Sequence, residues 1–401
     1  MTQSPSRPYL RNPRLELVRG PRGVVVEDVE TGRRIEASPQ LLAVWESFAV
    51  PRPLDAGAPS LAPDVVGFLL RNELLVPASE AGTVMSGLLK KSRRSVGTTA
   101  AWTELSTREL AGQWCLFGVP VAYDCPRTHS PVGGPDAIRA SLRLFSSSSG
   151  GDAGRSLWDW NRNRGFHLSD ALPLDLGDIC HNPRTDTADV VERKVRLAAR
   201  EVLAAGGRPL VLGGEHWLSL PVLQAVAQHH QSFSVIHFDA HTDRYATRKA
   251  NQSGLTNGNV MSHVEALGPV QRLLQIGIRE FDYAAGSDEA PSSTDKTRVV
   301  SAAQVIEGSG IEEIFGDIPR ESPVYVSIDA DVLDPVVAPE VAWPVMGGLT
   351  FREIDAALRF VTQEFEVIGA DLVEVTSSEQ SRNLAAMALA GCAGSLLLAG
   401  R

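Results

Sequence analysis

Pro323-Val324-Tyr325-Val326-Ser327-Ile328-Asp329-Ala330-Asp331-Val332-Leu333-Asp334-Pro335 is the stretch from which the fold can be read. Its first half is β-branched, aromatic or small, the texture of a strand covered on both faces. Acids arrive only at the carboxyl end, where Asp329 and Asp331 stand two residues apart. On an extended strand such neighbours point the same way. In an open parallel sheet, ligands bind at the carboxyl ends of the strands.

The same apolar texture recurs at 114–120, 209–212, 233–238, 273–278 and 365–375. Amphipathic helical spacing fills intervals such as 187–205 and 220–228, and the apolar run 384–398 reads as a buried helix. Strand and helix in alternation predict an α/β fold of three layers, a central mainly parallel sheet with helices on both faces. Two more of these strands end in polar clusters. Gly213-Gly214-Glu215-His216 closes one, and Asp239-Ala240-His241-Thr242-Asp243 closes the next. With Asp329 and Asp331 this places two histidines and four aspartates at neighbouring strand tips. Buried carboxylates and imidazoles are costly without a counter-charge, so the pattern calls for one or two cations. A donor set of oxygens with some nitrogen suits Mn²⁺ or a similar divalent ion better than a thiolate-seeking metal. A pair of such ions activates water for attack on an unreactive carbon.

Bulk properties exclude several other classes. Hydrophobic residues make up 43% of the 401 residues and charged residues 21%, an ordinary globular mix. The formal net charge of −10 argues against a nucleic-acid partner. The basic run Lys90-Lys91-Ser92-Arg93-Arg94 reads as a solvated linker. The cysteines, Cys115, Cys125, Cys180 and Cys392, show no paired spacing, which favours a reducing compartment. No signal-like start and no membrane-length apolar run is present, so the expectation is a cytoplasmic protein without a membrane partner.

The N-terminal residues 1–80 follow a different rhythm. Short strands at 15–18, 24–29 and 33–36 precede helical patterns at 39–48 and 63–75, which predicts a small α+β, winged-helix-like domain. Residues 81–112, rich in Ser, Thr, Gly and Lys, read as a linker, and 113–401 as the catalytic domain.

The three strand-end motifs resemble those of the ureohydrolase (arginase and agmatinase) family over residues 113–401. Gly118-Val119-Pro120, Gly134-Pro135-Asp136-Ala137-Ile138-Arg139, Leu174-Asp175-Leu176-Gly177-Asp178, Gln275-Ile276-Gly277-Ile278-Arg279 and Gly347-Gly348-Leu349-Thr350 add to the likeness. The resemblance implies two divalent ions, usually manganese. His216, Asp239, Asp243 and Asp329 would hold one, and His241, Asp239, Asp329 and Asp331 the other. It implies that Glu374 grips a substrate guanidinium, a match for its bidentate fork. Asp243 would orient the attacking hydroxide and move its proton to the leaving amine. Trimers or hexamers are the family's habit.

The chain also departs from the pattern. Glu215 stands where Asp or Asn precedes the family's His, and the bulky Trp217 follows it. Asn257, in the stretch that begins at Ser253, occupies the place of a proton-shuttling histidine, and His263 lies close enough in sequence to substitute. An amide cannot relay a proton near pH 7. Asp282 matches an acid that reads a substrate amino group, and Trp343 would reshape the pocket mouth. Ser253, Asn257, Asp282 and Glu374 are therefore the candidate substrate contacts. The N-terminal domain resembles, in shape and spacing, leader-peptide recognition domains, which implies an arginine-containing peptide as substrate. A docking or oligomer-contact role is the alternative, and DNA binding is disfavoured by the acidic balance. The expected function is hydrolysis of a small guanidino compound or a peptide arginine. The rivals are a formimino or amide-type hydrolase, a metal-retaining binding protein without activity, and a single-metal zinc deacetylase.

Overall fold

The computed structural model describes the chain outside residues 1–7, 21–22, 29–31, 50–51, 55–62, 81–87, 93, 97, 100–109, 126–128, 148–155, 168–171, 246–253, 282–293, 309, 377–381 and 399–401. Near the N-terminus, β1 (Pro8–Arg11), β5 (Arg52–Pro53) and β6 (Leu75–Pro77) form one small antiparallel sheet. The meander of β2 (Leu15–Gly20), β3 (Gly23–Asp28) and β4 (Arg34–Glu36) forms another. The helices Pro39–Glu46 and Pro63–Arg71 complete the region around a core of its own, which includes Tyr9, Val26, Trp45, Phe48 and Leu69. Sequence reading put the second helix at 63–75. It stops at Arg71 because Glu73 turns into the left-handed region (φ 55°) and Leu74 N–H donates back to Leu69 O (2.8 Å).

The ten-stranded main sheet sets the architecture. Its parallel members are β8 (Thr98–Thr99), β9 (Trp114–Val119), β12 (Leu174–Ile179), β13 (Arg208–Gly213), β14 (Phe233–Phe238), β15 (Val270–Ile278), β16 (Thr297–Ser301), β17 (Val324–Asp329) and β18 (Val367–Val373). Strand β7 (Leu89–Lys90) adds an antiparallel edge, and a separate hairpin pairs β10 (Ser156–Asp159) with β11 (Arg164–His167). The order β16-β15-β14-β17-β18-β13-β9-β12-β7 puts the three motif-bearing strands β13, β14 and β17 within four neighbouring positions around β18.

Two cores line the two faces, and the period of the strands sorts side chains between them. Leu116, Leu212, Ile236 and Phe238 pack with the helices Phe351–Glu364 and Leu384–Leu397. Cys115, Phe117, Val211 and Val235 pack with the helices Ala188–Ala204 and Ser219–His229. This is the expected three-layer arrangement; the helices expected at 187–205, 220–228 and 384–398 have bounds within one residue of those, and Phe351–Glu364 was not foreseen.

The expected linker is different in part. Lys90 belongs to β7, Ser92 and Val96 are buried, and Val96 N–H donates to Asp175 Oδ2 (2.8 Å). Edge pairing gives this polar segment a place that its composition does not advertise. The N-terminal region also touches a helix that covers the main sheet. Arg196, on the helix Ala188–Ala204, pairs with Glu16 (2.6 Å), and Arg193 with Glu27 (3.3 Å).

Candidate active site

Each motif reaches the site by a local turn rather than by strand alternation alone. Gly213 and Gly214 are both required by packing: a Cβ on Gly214 would strike the Val121 carbonyl. His216 then opens a short 3₁₀ turn (His216–Leu218). Strand β14 stops at Phe238, so Asp239 and His241 lie on the following turn, and Asp243 adopts φ 49°. Asp329 ends β17 and caps the 3₁₀ turn Ala330–Val332 by accepting from Asp331 N–H (2.9 Å). The expected strand alternation of Asp329 and Asp331 is thus replaced by a capped turn, and this turn brings Asp331 to His241.

The six sequence-predicted residues come together. His216 Nδ1 lies 3.3 Å from Asp239 Oδ2, 3.0 Å from Asp243 Oδ2 and 3.1 Å from Asp329 Oδ2. His241 Nδ1 lies 3.0 Å from Asp331 Oδ2 and 3.5 Å from Asp239 Oδ1. Asp239 therefore serves two adjoining clusters, each able to hold an ion. The acids and His216 are buried, while His241 remains 21% exposed at its side chain and marks the open side.

A supporting network fixes the state of His216. Ser327 Oγ–H donates to Asp371 Oδ1 (2.7 Å), and Tyr325 O–H donates to Asp371 Oδ2 (2.8 Å). Ser327 Oγ then accepts from His216 Nε2–H (3.0 Å), which leaves Nδ1 as the nitrogen turned toward the carboxylates. A lone pair facing three carboxylate oxygens is repulsive unless a cation or a proton sits between them. Among the described residues, His216 Nδ1, His237 Nε2 and Asp239 Oδ2 are buried without a hydrogen-bond partner, the mark of groups awaiting another ligand. No described lysine or arginine pairs with these acids. The nearby Arg279 is spent on the carbonyls of Val345 (2.7 Å), Asp331 (2.7 Å) and Gly277 (3.0 Å). The residues present fit a pair of divalent ions.

Proton affinities tell the same story. Burial, then Asp331 and Asp239, hold the Asp329 carboxyl well above its usual range. Burial and the charge of Asp239 push Asp243 up to about 6. Burial alone would raise Asp239, yet His237, His216 and His241 hold it well below the ordinary value. Burial opposes the charge on His241, but Asp239 and Asp331 push it up to about 12. Without a metal the cluster retains protons, and a metal displaces them.

Two groups went unread in the sequence. His237 lies 2.9 Å from Asp239 Oδ2, and its Nδ1 accepts from Gln275 Nε2 (3.0 Å). Its place two residues before Asp239 was the available signal. Glu215, read only as a departure, is fully buried and accepts from the backbone N–H of Tyr123 (2.5 Å), Asp124 (2.6 Å) and Cys125 (2.5 Å) and from Trp217 Nε1–H (2.8 Å). It clamps the loop after β9 to the site, a task that its extra methylene equips it for.

Glu374 is buried at the end of β18 with φ 62°, and its Oε1 accepts from His216 N–H (2.8 Å). Burial pushes its carboxyl up to about 8. Asn257 also reaches the site, where its Oδ1 accepts from Trp217 N–H (3.2 Å). His263 is half-buried on the helix Val260–Glu265, and the ion pairs of the cluster do not include it. Trp343 is 56% exposed, two residues from the bridge that joins Val341 to Val375 beside Glu374. Ser253 and Asp282 lie outside the described residues.

Comparison with known proteins gives the same direction. The arginase family model matches residues 113–399. The agmatinase of Edwardsiella ictaluri is 34% identical over 293 residues, which cover 71% of this chain and 86% of that protein. The agmatinase of Serratia proteamaculans is 35% identical over 290 residues, covering 69% and 84%. Among solved structures, a hypothetical agmatinase from Burkholderia thailandensis superposes with a TM-score of 0.59 at 27% identity, covering 77% of this chain and 93% of that one. Proclavaminate amidino hydrolase from Streptomyces clavuligerus gives 0.58 at 27%, covering 78% and 97%. Sheet order, site geometry and sequence agree that the chain belongs to the arginase family, hydrolases of C–N bonds in linear amidines.

Proposed function

We propose that this protein hydrolyses the guanidino group of an arginine-like substrate, releasing urea and an amine. The observation that carries the proposal is His216 Nδ1 facing Asp239, Asp243 and Asp329 within 3.3 Å, with Asp239 shared toward His241. Two divalent ions, manganese by family habit, would be held by His216, Asp239, Asp243 and Asp329 and by His241, Asp239, Asp329 and Asp331, and they supply the Lewis acidity that makes hydroxide available near neutral pH. Glu374 pairs with the guanidinium and turns its carbon toward the acids. Asp243 holds the attacking water, takes its proton and delivers it to the departing amine. The buried walls keep bulk water from the polar intermediate.

Agmatine, free arginine and peptide arginine all carry this head group, and the agmatinase names of the relatives favour agmatine among them. The N-terminal region supports a second reading, a recognition module for a peptide bearing the arginine. Asn257, held by Trp217, favours a formimino or amide-type substrate as a further alternative, because its amide relays no proton. Manganese-loaded enzyme incubated with agmatine, arginine, arginine-containing peptides and a formimino compound, with products read by mass, separates these cases. Urea release from one guanidino substrate is the expected result. Loss of turnover by a factor of about 10³ or more is expected for Asp243→Ala, which removes the proton carrier. Undiminished activity in that variant contradicts the mechanism.

A further inference from the structure

Cys125 has no part in the chemistry above, yet it stands inside the site. It is half-buried on the loop after β9, where Glu215 fixes its backbone N–H at 2.5 Å. Its Sγ lies 3.8 Å from Glu374 Oε2 and 3.6 Å from Asn257 Nδ2. The orientation of both neighbours is set from outside. Asn257 spends its Oδ1 on Trp217 N–H (3.2 Å) and so turns its amino group to the sulfur. Glu374 spends Oε1 on His216 N–H (2.8 Å), and it is only 4% exposed, so Oε2 is the oxygen directed at Cys125.

We propose that Cys125 contacts the substrate and determines specificity, its neutral thiol forming the wall against which a flat guanidinium packs when it pairs with Glu374. The proposal rests on the reading of Glu374 as the guanidinium's partner. Burial, together with Glu374 and Glu215, raises the thiol far above its ordinary range, so it stays S–H and brings no charge to compete with the substrate. An S–H group is a weak donor, and a guanidinium N–H displaces it from Oε2 easily. Sulfur is also bulky and polarizable, a good contact for a weakly hydrated planar cation and a poor one for a small, tightly hydrated ammonium. Serine at this position would hold Oε2 with a stronger, shorter-reaching hydroxyl, and alanine would leave a gap beside the carboxylate.

The first test needs no knowledge of the substrate. In the metal-loaded full chain, guanidinium chloride should bind several-fold more weakly to Cys125→Ala than to the unaltered protein, read by titration calorimetry, whereas ammonium chloride should bind neither. The second uses the guanidino compound that the enzyme turns over. Cys125→Ser and Cys125→Ala should raise KM roughly ten-fold, the scale of one lost pocket contact, with kcat within about three-fold and bound metal unchanged. Equal guanidinium affinity in the two proteins, or variants with unchanged KM, overturns the role of Cys125. Glu374→Gln separates the layers. If it raises KM steeply while the Cys125 variants do not, Cys125 alone is dismissed. If it leaves KM unchanged, the reading of Glu374 falls and this proposal with it.

Discussion

Arg139 shows how much one side chain carries when it is entirely buried. Its guanidinium donates to Asp175 through Nε (3.0 Å) and Nη2 (3.1 Å), to Asp178 Oδ1 through Nη1 (2.5 Å) and to Gly177 O (2.9 Å). Glycine is forced at position 118, where any Cβ would strike Asp178, so the pair and the strand β9 leave each other no slack. Removing one partner of a buried ion pair strands the other's charge, so Arg139→Met should cost about 3–5 kcal/mol in urea unfolding. A loss below about 1 kcal/mol would mean that the two aspartates take up protons or water freely. Glu215→Ala is the companion case. It leaves the amides of Tyr123, Asp124 and Cys125 without their acceptor, and a loss of about 2–3 kcal/mol is expected together with a raised KM, because the loop it clamps forms part of the site. Neither effect was readable beforehand. Arg139 was visible only as part of a motif, and Glu215 only as an exception to one, since sequence does not display which buried charges meet.

Elements differ in how openly the sequence declares them, and burial decides the difference. Strands β9, β13, β14, β17 and β18 are covered on both faces, so each is mostly apolar and was read within a few residues. Strand β12, Leu174-Asp175-Leu176-Gly177-Asp178-Ile179, was quoted as a motif and not as a strand, because its acids face Arg139 and break the pattern. Two-residue edges such as β7 and β8 are too short for any period to register. The metal-binding chemistry was legible because acids at strand tips are rare, whereas the turns that aim Asp243 and Asp331 depend on backbone angles that the sequence hides. Between elements, the contact of the N-terminal region with the helix Ala188–Ala204 rests on Arg196 and Glu16, whose side chains are 17% and 6% exposed. A double-mutant cycle over Arg196→Ala and Glu16→Ala should return a coupling of about 1 kcal/mol, above the usual surface pair because both groups are largely desolvated. Zero coupling would leave the two parts of the chain associated by packing and by their other polar contacts, such as Arg193 with Glu27.

At the scale of the whole molecule, the site and the fold are thermodynamically one object. The six metal-binding candidates come from β13, β14, β17 and the turns after them, so a bound ion ties together loops that an unfolded chain scatters over residues 216–331. An ion that binds the folded chain alone stabilises it by about 2.7 kcal/mol at a hundred times its Kd. The N-terminal core, with Tyr9, Trp45 and Phe48, is separate from the two cores that flank the main sheet. Chelation should therefore lower the melting temperature of the main transition by roughly 5–10 °C. A transition assigned to the N-terminal region, by a tryptophan probe at Trp45, should stay where it is. Adding Mn²⁺ back should restore the main transition and saturate near two ions per chain, which also excludes a single-metal deacetylase. Asp329→Ala, which removes a carboxylate that faces His216 and whose charge burial and Asp331 oppose in the absence of a cation, should abolish that recovery. A melt indifferent to chelator, or a stoichiometry of one, would mean that the acids at these strand tips are neutralised by protons rather than by metal.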